Sequence, residues 1–103
     1  SKKIGSLSRL KGLVINPAGS QGNRYLAVSI VFETETPGVK QELDEKKVIV
    51  KDAVLRLLSE RTVEELSDPK QRDGLKKALR EEANAVLSTG EVDRLYFTEF
   101  VLQ

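Results

Sequence analysis

The sequence contains no cysteine, no histidine, no methionine and no tryptophan, and its aromatics are two tyrosines and three phenylalanines. Without cysteine there is no disulfide scaffold and no thiolate metal site. A cysteine-free domain is indifferent to redox state, so an oxidising compartment stays open to it. The absence of histidine removes the commonest general base and the commonest catalytic metal ligand. No apolar run approaches the ~18–20 residues that a membrane helix needs, and no signal peptide is visible. Neither charge sign dominates: 17 Lys plus Arg stand against 16 Asp plus Glu, a net +1. The basic excess expected of a nucleic-acid binder is missing.

What is present fits one folded domain. The chain has 103 residues, 39% hydrophobic and 32% charged. A domain of this size buries roughly 60–70% of its unfolded surface, enough for one core without staples.

Residues 1–9 are polar and read as a flexible lead-in, with the domain proper over 10–103. Leu10, Leu13, Val14 and Ile15 predict a short strand stopped by Asn16-Pro17. The following AGSQGN contains a GxxG at Gly19–Gly22. Lacking basic residues and lying between strands, it reads as a hairpin connection and not as a nucleic-acid clamp. RYLAVSIVFETET predicts the clearest strand, with Leu26, Val28, Ile30 and Phe32 alternating on one face. Glu33 to Thr36 carry its end into solvent before Pro37-Gly38 turns the chain.

LDEKKVIVKDAVLRLLSE predicts one helix, with Val50, Ala53, Val54, Leu57 and Leu58 forming an apolar stripe. Thr62 and Glu65 have capping-box spacing, which predicts a single helical turn. Ser67 or Asp68 then caps a second long helix with Pro69 at its first position. That helix buries Leu75, Ala78, Leu79, Val86 and Leu87, and Gly90 takes the left-handed position after it. EVDRLYFTEFVLQ predicts a last strand. Val92, Tyr96, Phe100 and Leu102 lie on its even face, and Leu95, Phe97 and Val101 on its odd face. A strand apolar on both faces is covered on both. Two helices cover one face, so the other is expected to meet the N-terminal segment, a neighbouring protomer or a partner. The fold class expected is α+β: a small, mainly antiparallel sheet with two long helices on one face, in the order β-β-α-short helix-α-β.

No catalytic, cofactor-binding or metal-binding residue is assigned. The carboxylate neighbours Glu33/Glu35 and Glu64/Glu65 read as a solvated face. Two features stand out. Glu82 falls in the middle of the second helix's apolar face. There it is either a buried carboxylate answered by a partner's cation, Arg94 or Arg56, or it reaches water because the helix end lifts away. Val48 and Leu55 lie about 100–160° from the Val50 stripe. Either a subunit contact or the Thr36–Leu43 loop covers them. Val48, Leu55, Leu95, Phe97 and Val101 are the residues expected to contact a protomer or partner.

Taken in order, NRYLAVSIVFET, VIVKDAVLRLLSERTVEEL, GLKKALREEANAVL and the terminal VDRLYFTEFVLQ resemble the periplasmic domain of the flagellar basal body-associated FliL family. The likeness runs from about Leu10 to Gln103. Lys51-Asp52 stands where the family pattern often has Arg-Asp. The resemblance implies a stomatin-like (SPFH) fold and a single-pass bacterial inner-membrane protein with this domain in the periplasm. Membrane contact would come only through an N-terminal helix outside this sequence. It further implies a homo-oligomeric ring around or beside the MotA/MotB stator, with the MotB periplasmic linker as a partner, and no enzyme activity, cofactor or nucleic acid. Two other readings are a stomatin-like scaffold for a membrane complex unrelated to motility and a small nucleic-acid-binding domain.

Overall fold

Three stretches with period-two hydrophobicity pair into one antiparallel sheet, β1 (Ser6–Ile15), β2 (Leu26–Thr34) and β3 (Arg94–Leu102), in the spatial order β1-β2-β3. The structure is a computed structural model and describes residues 4–103. β2 lies in the middle and is buried along almost its whole length. Its side chains Leu26, Val28, Ile30 and Phe32 face the helices and meet Leu10, Leu13 and Ile15 of β1.

β1 begins at Ser6, so part of the expected lead-in is strand; residues 1–3 lie outside the described residues. The added length has a physical cause. Ser6 and Leu7 pair with Thr34 and Glu33, and the Gly5 N–H donates to the Glu33 carboxylate at 2.9 Å. The end of β2 is consequently covered, not carried into solvent. Thr34 is buried and its hydroxyl donates to the Glu91 carbonyl.

Each edge strand carries an irregularity. In β1 the register shifts between Leu10 and Leu13, where Gly12 takes φ +68. Only glycine adopts that backbone at little cost. In β3 the shift opposes Ser29 to Glu99 but Ile30 to Phe97, leaving Thr98 as the extra residue. A bulge reverses side-chain parity. Leu95 and Phe97 before it, and Phe100 and Leu102 after it, therefore all turn toward the helices. The strand apolar on both faces is in fact a strand with one apolar face and a bulge.

Between β2 and β3 the chain forms α1 (Val39–Glu45), α2 (Lys47–Ser59), α3 (Val63–Ser67), a 3-10 turn (Pro69–Gln71) and α4 (Arg72–Val86). The fold is α+β, as expected, with an extra element: the single first helix is two, and the loop over 36–43 is largely α1. The break falls at Lys46 (φ −99, ψ 20). Its side chain turns inward to the Glu42 carboxylate at 2.7 Å and the Val86 carbonyl at 3.0 Å, closing the end of α4. α4 ends at Leu87, before Gly90. Gly90 serves a different need, because a Cβ there would stand 2.7 Å from Thr36 Cγ2 and 2.9 Å from Val39 Cγ2.

The predicted capping box is present. Thr62 Oγ1 accepts from the Glu65 N–H at 3.1 Å, and Glu65 Oε1 accepts from the Thr62 N–H at 3.0 Å. These bonds, the backbone one first, hold the Glu65 carboxyl below its ordinary range. Asp68 caps the following turn, with Pro69 at its first position. Thr62→Ala is expected to cost about 1 kcal/mol, read as a shifted midpoint in urea at an unchanged slope. An unchanged midpoint would mean the cap contributes nothing.

Candidate interaction surface

Helices cover one face of the sheet, where Val39, Leu43, Val50, Val54, Leu58, Leu75 and Leu79 pack on β1, β2 and β3. The opposite face has no layer over it among the described residues. Its central side chains, Ser29, Val31 and Glu33, are sheltered by neighbours on the flanking strands. At one end Ile4, Leu7, Val31 and Tyr96 border a shallow hollow of about 300 Å³, with Arg9, Glu33 and Thr98. At the other end Val14 and Val101 flank Ala27 in register, and both are exposed. Polar groups separate the two: the Ser29 hydroxyl accepts from the Gly12 N–H at 3.0 Å and donates to Glu99 Oε1 at 3.1 Å. An apolar-polar-apolar face of this kind suits a macromolecular contact better than a small molecule.

Glu33 corrects the solvated-face reading. It is buried, and Oε1 accepts from the Tyr96 hydroxyl at 2.6 Å. That bond, then burial, raises the Tyr96 phenol above its ordinary value.

The five expected contact residues separate. Val48 is 82% exposed and Val101 42% exposed. α1 therefore leaves Val48 open. Leu55 and Phe97 are half-buried and packed against the core. Leu95 is 5% exposed, opposite Phe32 inside the core, because it precedes the bulge on the helix-facing side. Phe97 stacks with Phe100 (ring centroids 5.0 Å apart), and the Arg72 guanidinium sits 3.8 Å above the Phe100 ring. These rings lie under cations, on the same face as the core.

Glu82 is not a buried carboxylate: its side chain is 39% exposed, and its cation is Arg56 at 3.9 Å. Besides Glu33, the buried acid that composition and periodicity do not reveal is Glu42. Its carboxylate accepts from the Ser88 and Thr89 backbone N–H groups, from both hydroxyls, and from Lys46 Nζ, at 2.7–3.0 Å. Lys46 first, then Thr89 and Ser88, hold its carboxyl far below the ordinary carboxylate range. Lys46 is four residues away, but the Ser88 and Thr89 donors are 46 and 47 residues away in sequence. No local pattern announces them; the only trace is an acid within a short helix and a Ser-Thr pair after a long one. The clamp fixes α1 to the α4–β3 connection. All its donors belong to the protein, so it is structural in what it does.

Among the described residues no group of three His, Cys, Asp or Glu side chains could hold a metal ion. No described helix is long and apolar enough to cross a membrane.

A family model, "Flagellar basal body-associated protein FliL", matches residues 8–103. The chain belongs to the FliL family. It is 34% identical over 90 residues to a flagellar protein FliL of Aquifex aeolicus (strain VF5), covering 87% of this chain and 56% of that protein. With the flagellar protein FliL of Bacillus subtilis (strain 168) the identity is 31% over 83 residues, 81% of this chain and 59% of that one. The chain spans a little over half the length of these curated FliL relatives. The FliL match begins inside β1 and runs past the end of β3, so it reaches all three strands of the sheet.

Proposed function

We propose that this FliL domain is a non-enzymatic accessory of the flagellar motor. It assembles as a ring, in a stomatin-like manner, around or beside the MotA/MotB stator and stabilises the torque-generating state. The protein is anchored in the inner membrane by a single N-terminal helix, with this domain in the periplasm. The observation that carries the reading is family membership over residues 8–103, spanning every strand of a sheet with one uncovered, partly apolar face. The mechanism is mass action. A ring that binds the extended form of the MotB linker better than its plugged form shifts the stator toward the active form. Moving the equilibrium from about 1:99 to 99:1 requires about 10⁴-fold preference. Repetition around a ring supplies it from weak individual contacts. Val48 and Val101 are the contact residues, with Leu55 and Phe97 at their margins.

The test uses the full-length, membrane-anchored protein. Val14→Glu with Val101→Glu places two charges on the open sheet face, at positions already in water. The double variant is expected to lose stator co-purification, high oligomer mass and swimming while keeping its parent's melting temperature. Retention of all three with the charges in place would overturn the reading of this face.

A further inference from the structure

A second concavity lies at the free edge of β1 on the helix side, next to the open-face hollow, with Arg9 bordering both. It is a hollow of about 440 Å³ between β1 and α2. Four cations rim it: Arg9 and Lys11 from the strand, Lys47 and Lys51 from successive turns of the helix. All four are exposed, and none forms an ion pair among the described residues. No carboxylate lines the hollow. The nearby acids of the same helices are held elsewhere: Asp44 by Lys40 and Ser8, each at 3.1 Å, and Asp52 by Arg56 at 3.6 Å. Lys47 acts on the Asp44 carboxylate only at longer range; on a chain of net charge +1, four cations around one hollow with no carboxylate in its lining are a local imbalance. The floor is apolar. Leu10 and Leu13 supply its inner part, and Val48, 82% exposed, its lip.

We propose that this hollow docks an extended segment of another protein in which carboxylates alternate with apolar side chains. Three observations select that occupant. Among the described residues β1 is an edge strand with no strand beyond it, so its outer backbone groups on either side of the bulge can pair with an added strand. An extended segment sends successive side chains to opposite sides, so it separates apolar groups facing the hollow from carboxylates that meet the long cationic side chains at its rim. The Leu10, Leu13 and Val48 floor takes the apolar side chains, and the cation rim takes the acids. A second copy of β1 is disfavoured, because it would bring Arg9 and Lys11 against their own duplicates. An anionic membrane surface would satisfy the charges but leave a strand edge and a recessed floor without a purpose.

The test is an NMR titration of the isotopically labelled chain with a blocked twelve-residue peptide alternating glutamate and valine. Backbone shifts are expected at Arg9–Leu13 and Lys47–Lys51, with Ala27 and Val101 on the far end of the open face silent. K47E/K51E is expected to weaken binding by about tenfold or more, and raised salt to weaken it in parallel. Val48→Ser leaves every charge in place and is expected to weaken binding about threefold, since a purely electrostatic site would ignore it. The substituted side chains are all exposed, and the melting temperature checks that each variant is folded. Absence of shifts, shifts confined to other surfaces, affinity indifferent to K47E/K51E, or association only with phosphatidylglycerol vesicles would overturn the proposal. The two readings share Val48 but their tests separate: Val14→Glu with Val101→Glu leaves this hollow untouched, and K47E/K51E leaves the sheet's open face untouched.

Discussion

Glu42→Ala is expected to lower the thermal midpoint by on the order of 10 °C at neutral pH. The variant removes the acceptor of the Ser88 and Thr89 N–H groups and leaves Lys46 with the Val86 carbonyl alone. Donors stripped of a charged acceptor cost more than the bonds themselves contributed. Glu42→Gln, which keeps one acceptor oxygen, should fall between. The effect has a pH signature. Folding depresses this carboxyl below its ordinary 4.5. As pH falls, the unfolded chain therefore takes up its proton first. The stabilisation is complete above about 4.5 and drains away as the solution becomes more acid. Melting curves of parent and Glu42→Ala should differ most between pH 6 and 8, and the gap should narrow below about pH 4.5 yet stay open at pH 3, because the folded carboxyl takes up its proton at still lower pH. A constant gap across that range would show that the carboxylate's charge is not what holds the connection.

The second large effect separates two residues that an unbroken strand would put on the same face. Leu95→Asp is expected to cost more than about 4 kcal/mol and leave the chain largely unfolded. It places a carboxylate beside Phe32, in a core made of apolar side chains alone. Val101→Asp, six residues further and of the same odd parity, is expected to shift stability by less than about 1 kcal/mol, because its side chain already meets water. Chemical denaturation of the pair reads the difference. Equal losses at the two positions would mean that Thr98 does not interrupt the pairing, and the sheet would then have to be redrawn.

The same pair shows where sequence reasoning stops. Strand existence was legible because period-two patterning is local: Leu26, Val28, Ile30 and Phe32 face the helices as their alternation requires. The Thr62–Glu65 box and the Asp68-Pro69 start were legible for the same reason, each being a contact within a few residues. The bulge at Thr98 was not, because it is defined by which β2 residue stands opposite, and that partner is fixed by the whole sheet. Misreading it supplied Leu95 and Phe97 as surface residues. The division of the first helix at Lys46 was hidden likewise, since the side chain that marks it answers Val86 on another helix. Glu82 looked buried on an ideal wheel, but Arg56 and water reach it. Val48 and Val101 are the members of the expected contact set that lie in the open, and the hollow that Val48 borders needs β1 and α2 brought together, which no spacing along the chain expresses.

The placement of β3 beside β2 governs the order in which this molecule can acquire its shape. β1 and β2 are joined by a short connection and can zip together early. β3 must return across the whole helical region, with 63 residues separating Glu33 from its partner Tyr96. Closing so long a loop is slow relative to local hairpin and helix formation. Until it closes, the greasiest strand of the protein has a raw flank, and refolding at high concentration competes with intermolecular sheet growth along that flank.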